Sequence, residues 1–153
     1  MKFKYLYIII LFFNLNANAS VIVALFRHEE RSLIAFKDVA IKIGSNWVHY
    51  DPQGMKFYKN VSDIGDNYLL LHSFTNLSNL SYRQIKFWSK ARYSLFSDYN
   101  DLSTLSPSKL IARLLDFGQS DDFPYMPDDI YRILKNKGFK ILNNKKRFKK
   151  CII

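Results

Sequence analysis

The chain has 153 residues, 23 Lys and Arg against 13 Asp and Glu, a net charge of +10 and one cysteine. A single cysteine excludes an intrachain disulfide framework, and the length suits one domain with a real core rather than two. The cationic surplus points toward phosphates, anionic lipid head groups or acidic polymers as partners, but it specifies no sequence readout of nucleic acid.

Lys2 and Lys4 precede an apolar run, Tyr5 to Phe13, and the segment closes on Asn16-Ala17-Asn18-Ala19 before Ser20. A basic start, a short apolar stretch and an A-x-A site predict a signal peptide over 1–19, and hence export to the periplasm or the extracellular space. The run is too short to span a bilayer, which takes about 20 apolar residues. The rest reads as a single domain over 20–143 and a basic tail over 144–153 containing Lys145-Lys146-Arg147-Phe148-Lys149-Lys150. Cys151 stands one position short of a C-a-a-X box.

In chain order, Val21 to Phe26 reads as a buried strand. Asp38 to Ile43 and Trp47 to Tyr50 read as a hairpin turning at Gly44-Ser45-Asn46. Met55 to Tyr58 and Tyr68 to Phe74 are the next strand candidates. The period then changes from two to about 3.6. Ser81-Tyr82-Arg83-Gln84 has the form of a capping box, opening a helix with Tyr82, Ile85, Trp88 and Ala91 on one stripe. A second helix is expected over Pro107 to Phe117, with Leu110, Ile111, Leu114 and Leu115 inward and Gly118 as its stop. A third starts near Pro127, carries Asp128 and Asp129 in its first turn and ends at Gly138. Phe139 to Leu142 reads as a closing strand. The expected class is α+β, an antiparallel sheet packed against about three helices.

Three histidines are the acid–base candidates. His28 lies in the charged turn Arg27-His28-Glu29-Glu30-Arg31 and reads as a surface residue, whereas His72 lies in an apolar strand and reads as a core histidine. No H-x-x-x-H or Cys/His spacing suggests a metal, and no cofactor motif is present. His49 stands out by its company, the stretch Asp38-Val39-Ala40-Ile41-Lys42-Ile43-Gly44-Ser45-Asn46-Trp47-Val48-His49.

That stretch resembles the start of the circularly permuted papain-like domains, the NlpC-like amidases and the lecithin:retinol acyltransferase relatives. In those families a His is followed by small and apolar residues, I-x-[IV]-G, a turn, and a strand that can end in a second His. A helix and a Y-[DN] segment follow, then a C-S-x-L-[IV] motif with the nucleophilic cysteine at a helix N-terminus. Here Ser81 to Ser94, Tyr99-Asn100 and Pro107-Ser108-Lys109-Leu110-Ile111 fall in that order, and Met126-Pro127-Asp128-Asp129-Ile130 resembles the Pro-led helix that ends such domains. The resemblance implies a permuted papain-like fold over most of Ala35 to Gly138. The departures fall on the chemistry, because Pro107 stands at the cysteine position and Asp38 at the first histidine, leaving only His49.

Pro carries no nucleophile, and an Asp of ordinary pKa is a poor acid at neutral pH. A one-residue shift makes Ser106 or Ser108 the candidate nucleophile, with His49 as the only available base. Yet Ser106 suits an N-cap and Pro107 the first helical position. The favoured expectation is therefore a secreted, catalytically degenerate papain-like domain that binds a cell-envelope peptide, a lipid or another protein, with Trp47, Tyr50, Tyr99 and Phe123 as candidate aromatic walls. On this expectation the basic tail contacts an anionic polymer or membrane surface. One alternative is an amidase or acyl hydrolase with Ser108, His49 and Asp38 as its catalytic residues. The other is a cationic nuclease or nucleic-acid binder, which needs two histidines converging in a groove. Asn60-Val61-Ser62, Asn76-Leu77-Ser78 and Asn79-Leu80-Ser81 are N-glycosylation sequons.

Overall fold

A computed structural model describes residues 20–28, 35–74, 82–117 and 125–145. Eight strands and three helices follow in the order β1 (Val21–Arg27), β2 (Phe36–Ile43), β3 (Asn46–Asp51), β4 (Gly54–Tyr58), β5 (Tyr68–Ser73), α1 (Tyr82–Trp88), β6 (Arg92–Tyr93), β7 (Thr104–Leu105), α2 (Pro107–Leu114), α3 (Pro127–Asn136) and β8 (Lys140–Lys145), with a 3-10 turn at Val61–Asp63. Six strands form one sheet in the order β4-β3-β2-β1-β5-β8, every pair antiparallel, while β6 and β7 pair in parallel. This is the expected α+β class. No helix among the described residues is long and apolar enough to cross a membrane.

The apolar alternation of the strands sorts the sheet into two faces. Val23, Leu25, Val39, Ile41, Val48, Tyr50, Leu69 and Leu71 meet Leu110, Ile111, Leu114, Ile130 and Leu134 in the main core, so α2 and α3 cover that face. The intervening residues Ala24, Phe26, Ala40, Trp47 and Tyr68 form a smaller cluster on the other face, covered by Val61 and Ile64 of the loop before β5. Ala24 opposite Ala40 leaves room in the middle of this face for the larger neighbours Phe26, Trp47 and Tyr68.

The five expected strands of the first half stand within two residues of their predicted ends. Gly44, at φ 59°, takes the left-handed position that the tight β2–β3 turn requires. Ser81 lies outside the described residues, and α1 ends at Trp88 instead of running on toward Ser94. The Tyr50 hydroxyl donates to the Ala91 carbonyl at 2.5 Å, and Arg92 N–H donates to Ser103 O at 2.9 Å, so the chain leaves the helix for β6. Helix α2 also ends early, at Leu114, with Asp116 in a left-handed conformation at φ 49°. Gly118, the expected stop, lies outside the described residues. Helix α3 ends as expected beside Gly138, at φ 83°, where Phe139 N–H bonds Leu134 O and Gly138 N–H bonds Lys135 O. Strand β8 runs on to Lys145, two residues into the segment expected as tail, because Asn144 and Lys145 pair with Leu69 and Tyr68.

The acidic start of α3 has a second function beyond its helix dipole. Asp128 accepts hydrogen bonds from Ala35 N–H at 3.1 Å and Phe36 N–H at 2.9 Å, tying the start of β2 to the helix. Asp129 turns back to its own cap, accepting from Met126 N–H at 3.0 Å. Asp128→Ala removes the acceptor of the exposed Ala35 N–H and the part-buried Phe36 N–H and is expected to cost about 0.5–1.5 kcal/mol. A urea titration checks this, with the midpoint falling at an unchanged slope.

Candidate functional site

Strands β2 and β3 place two of the expected site residues side by side. Asp38 and His49 both belong to the face of Ala40 and Trp47, one residue out of step with Val39, Val48 and Tyr50. His49 Nε2 donates to Asp38 Oδ2 at 2.7 Å, and the other Asp38 oxygen accepts from Val39 N–H at 2.7 Å. The ring is 6% exposed and lies 6.5 Å from Phe26 and 6.4 Å from Tyr58, centroid to centroid. With Nε2 held by Asp38, Nδ1 is the nitrogen left for chemistry. It is fully buried and has no hydrogen-bond partner among the described residues.

The third expected residue sits across the sheet. Helix α2 packs on the main-core face through Leu110 and Ile111, and its first turn carries Ser106, Pro107 and Ser108. Ser106 is the N-cap, its hydroxyl accepting from Lys109 N–H at 3.0 Å, and Pro107 occupies the first turn where no N–H is needed. Ser108 is 2% exposed, and no hydrogen bond joins it to His49. The sheet brings Asp38 and His49 together, while Ser108 lies on the opposite face from His49 and shares a cleft lining with Asp38 alone of the pair.

Asp38 marks the rim where two clefts meet. On the His49 face, a polar cleft of about 390 Å3 runs past Phe26, Arg27, Lys37, Asp38, Asp63 and Asn67. On the helical face, a more apolar cleft of about 250 Å3 lies at the head of α2, lined by Phe36, Asp38, Tyr93, Leu95, Pro107, Ser108 and Tyr125. Burial, followed by the nearby Asp38 and Asp51 charges, pushes the Tyr93 phenol above its ordinary pKa. His28 is half-buried and lines the apolar cleft instead of standing on an open turn. His72 is half-buried against Phe74 rather than in the core, because it shares the second face with Ile22 near the sheet's end. Of the candidate aromatic walls, Trp47, Tyr50 and Tyr99 are core residues, and Phe123 lies outside the described residues. Among the described residues no group of three or more His, Cys, Asp or Glu is placed to hold a metal ion.

A polar cluster that the sequence reading passed over lies one turn into α2. Lys109 is wholly buried, and its ammonium donates to Ser97 Oγ at 2.9 Å, Thr104 O at 2.8 Å and the Asp101 carbonyl. It also lies 5.7 Å from the Trp88 ring centroid. Burial lowers the Lys109 pKa, partly offset by the charge of Asp101. One turn on, Arg113 stacks on Tyr99 at 3.7 Å and donates to the Tyr99 carbonyl. Three oxygens match the three donors of an ammonium, so this lysine organises the β6–β7 connection without facing solvent. The sequence signal was the i, i+4 spacing of Lys109 and Arg113, downstream of an oxygen-rich loop.

No protein-family model, curated protein or solved structure matches the chain.

The same connection carries an acid-sensitive element. The Asp101 carboxylate accepts from the Thr104 and Ser103 hydroxyls and from Ser103 N–H, which together hold its pKa far below the usual carboxylate range. A carboxyl depressed in the folded state contributes stability that is complete above its unfolded pKa of about 3.9 and is lost as the pH falls below that value. Asp101→Asn is expected to shrink the drop in urea midpoint between pH 5 and pH 2. An undiminished drop places the acid sensitivity elsewhere.

Proposed function

We propose that this chain is a non-catalytic binding protein, a degenerate relative of the permuted papain-like domains, exported to the periplasm or beyond. Its ligand is a cell-envelope peptide, a lipid or a protein segment that places an apolar group in the cleft at the head of α2. The reading rests chiefly on His49. Its one nitrogen not engaged by Asp38 is buried, without a partner among the described residues, and on the opposite sheet face from Ser108. A general base must face its nucleophile, and the sheet stands between His49 and Ser108. The Ser106 cap and Pro107 give the α2 start a structural purpose that needs no chemistry. The Asp38–His49 pair on adjacent strands and the apolar cleft bordered by Asp38, Pro107 and Ser108 are what support kinship with the papain-like domains.

The nuclease reading has less support. His28 follows the last residue of β1, whereas His72 pairs with Ile22 near its start, a separation along the strand of about 20 Å. His49 lies three strands from His72, about 14 Å at ordinary strand spacing.

A fluorophosphonate probe that labels activated serines separates binder from hydrolase. The binder reading expects no adduct at Ser108, no turnover of amide, ester or thioester substrates, and an unchanged background rate in Ser108→Ala. Stoichiometric labelling of Ser108, with turnover abolished in Ser108→Ala, would overturn it.

A further inference from the structure

The connection between β6 and β7 sends Tyr99 into the main core but also buries polar groups. Ser97, 1% exposed, bonds Thr104 through both its carbonyl and its hydroxyl at 2.8 Å, and the buried Lys109 ammonium ties the two ends together. Its exposed side chains include large apolar groups beside Asp98, Asn100 and Ser103. Phe96 is 76% exposed, Leu102 58% and Leu95 52%, and Phe87, at the end of α1, is 57% exposed. Large apolar groups held outward on a clamped connection need a cover that the described residues do not supply.

The charges around this tip indicate which cover. Lys86, Lys90 and Arg92 are all exposed in the segment that leads into it, and none forms an ion pair among the described residues. Of the two loop acids, Asp98 is exposed and opposes them, while Asp101 is half-buried and held by Ser103 and Thr104, so the three exposed cations outnumber one exposed acid. The chain as a whole carries +10. A few exposed apolar side chains on one connection are too few for a stable protein interface, which engages about 20–30 residues a side. They suit insertion into the head-group layer of a bilayer, with flanking cations attracted by anionic lipid.

We propose that the β6–β7 connection is a membrane-docking loop. Phe96, Leu95 and Leu102 enter the interface of an anionic bilayer, while Lys86, Lys90 and Arg92 contact its phosphates. The clamp from Lys109 pre-organises the tip, so docking needs little reordering of the loop. Leu95 also lines the cleft at the head of α2, whereas Phe96 and Leu102 do not, so the proposal stands on these two whether or not that cleft binds a ligand.

The test uses the full chain carrying Phe96→Trp, with Trp47 and Trp88 buried as a constant background. Vesicles of phosphatidylglycerol and phosphatidylcholine are expected to blue-shift its emission, and brominated acyl chains to quench it. Both responses should weaken at least about tenfold in 0.5 M salt, where the screening length falls below 5 Å. The pair Leu95→Ser and Leu102→Ser, added to the same chain, should reduce the response about tenfold or more while far-UV circular dichroism stays unchanged. Because the fluorophore reports only its own surroundings, attachment through residues 1–19 does not imitate the signal. An emission that vesicles leave unmoved overturns the proposal, even if the chain sediments with them. An equal response to pure phosphatidylcholine overturns the role of the cations.

Discussion

The two-residue period of β3 decides what this molecule can do. His49 stands between Val48 and Tyr50, which are bound into the core beneath α2 and α3. The strand pleat therefore turns His49 to the other face, toward Asp38, Phe26 and Tyr58. Moving it back to the helical face would take a one-residue slip of β3 against β2. That slip would expose Val48 and Tyr50 and bury Trp47 and His49 in the main core, which the burial of so many apolar groups opposes. Register, set by hydrophobic pattern, has priority over any chemistry at the sheet's edge.

On the proposed reading, a histidine held in this way is a structural element. Its hydrogen bond to Asp38 joins β2 to β3 where Asp38 borders both clefts, and its ring fills the space between Phe26 and Tyr58. The counterpart on the helical side is Lys109. Taking an ammonium out of water is costly unless all its donors are met, and here a hydroxyl and two carbonyls meet them. In return, the cluster fixes the irregular stretch between β6 and β7, so a region with only two-residue strands has a defined shape.

Much of this was legible in the residues. The strands of the first half, the Ser106 cap with Pro107, and the Gly138 stop follow from local pattern and local sterics, which the tertiary structure did not override. The ends of α1 and α2 were misjudged for long-range reasons. Tyr50, far away in sequence, captures the Ala91 carbonyl, and Asp116 takes a left-handed turn ahead of Gly118. The site was half legible. The spacing from Asp38 to His49 placed both on neighbouring strands, and they do meet. Adding Ser108 required knowing which sheet face α2 covers, and neither His49 nor Ser108 carries that information locally. Lys109 escaped notice because a lysine beside a helix start ordinarily reads as solvated, and its three acceptors come from a loop without regular pattern.

The orientation of His49 has one direct chemical readout, mapped carbethoxylation of the three histidines by diethyl pyrocarbonate. With one nitrogen held by Asp38 and the other buried, His49 should react far more slowly than the half-buried His28 and His72 in the folded protein, and at their rate in urea. A His49 that reacts as fast as His72 under native conditions would mean that its ring is open to solvent, and the closed, non-catalytic site would have to be abandoned.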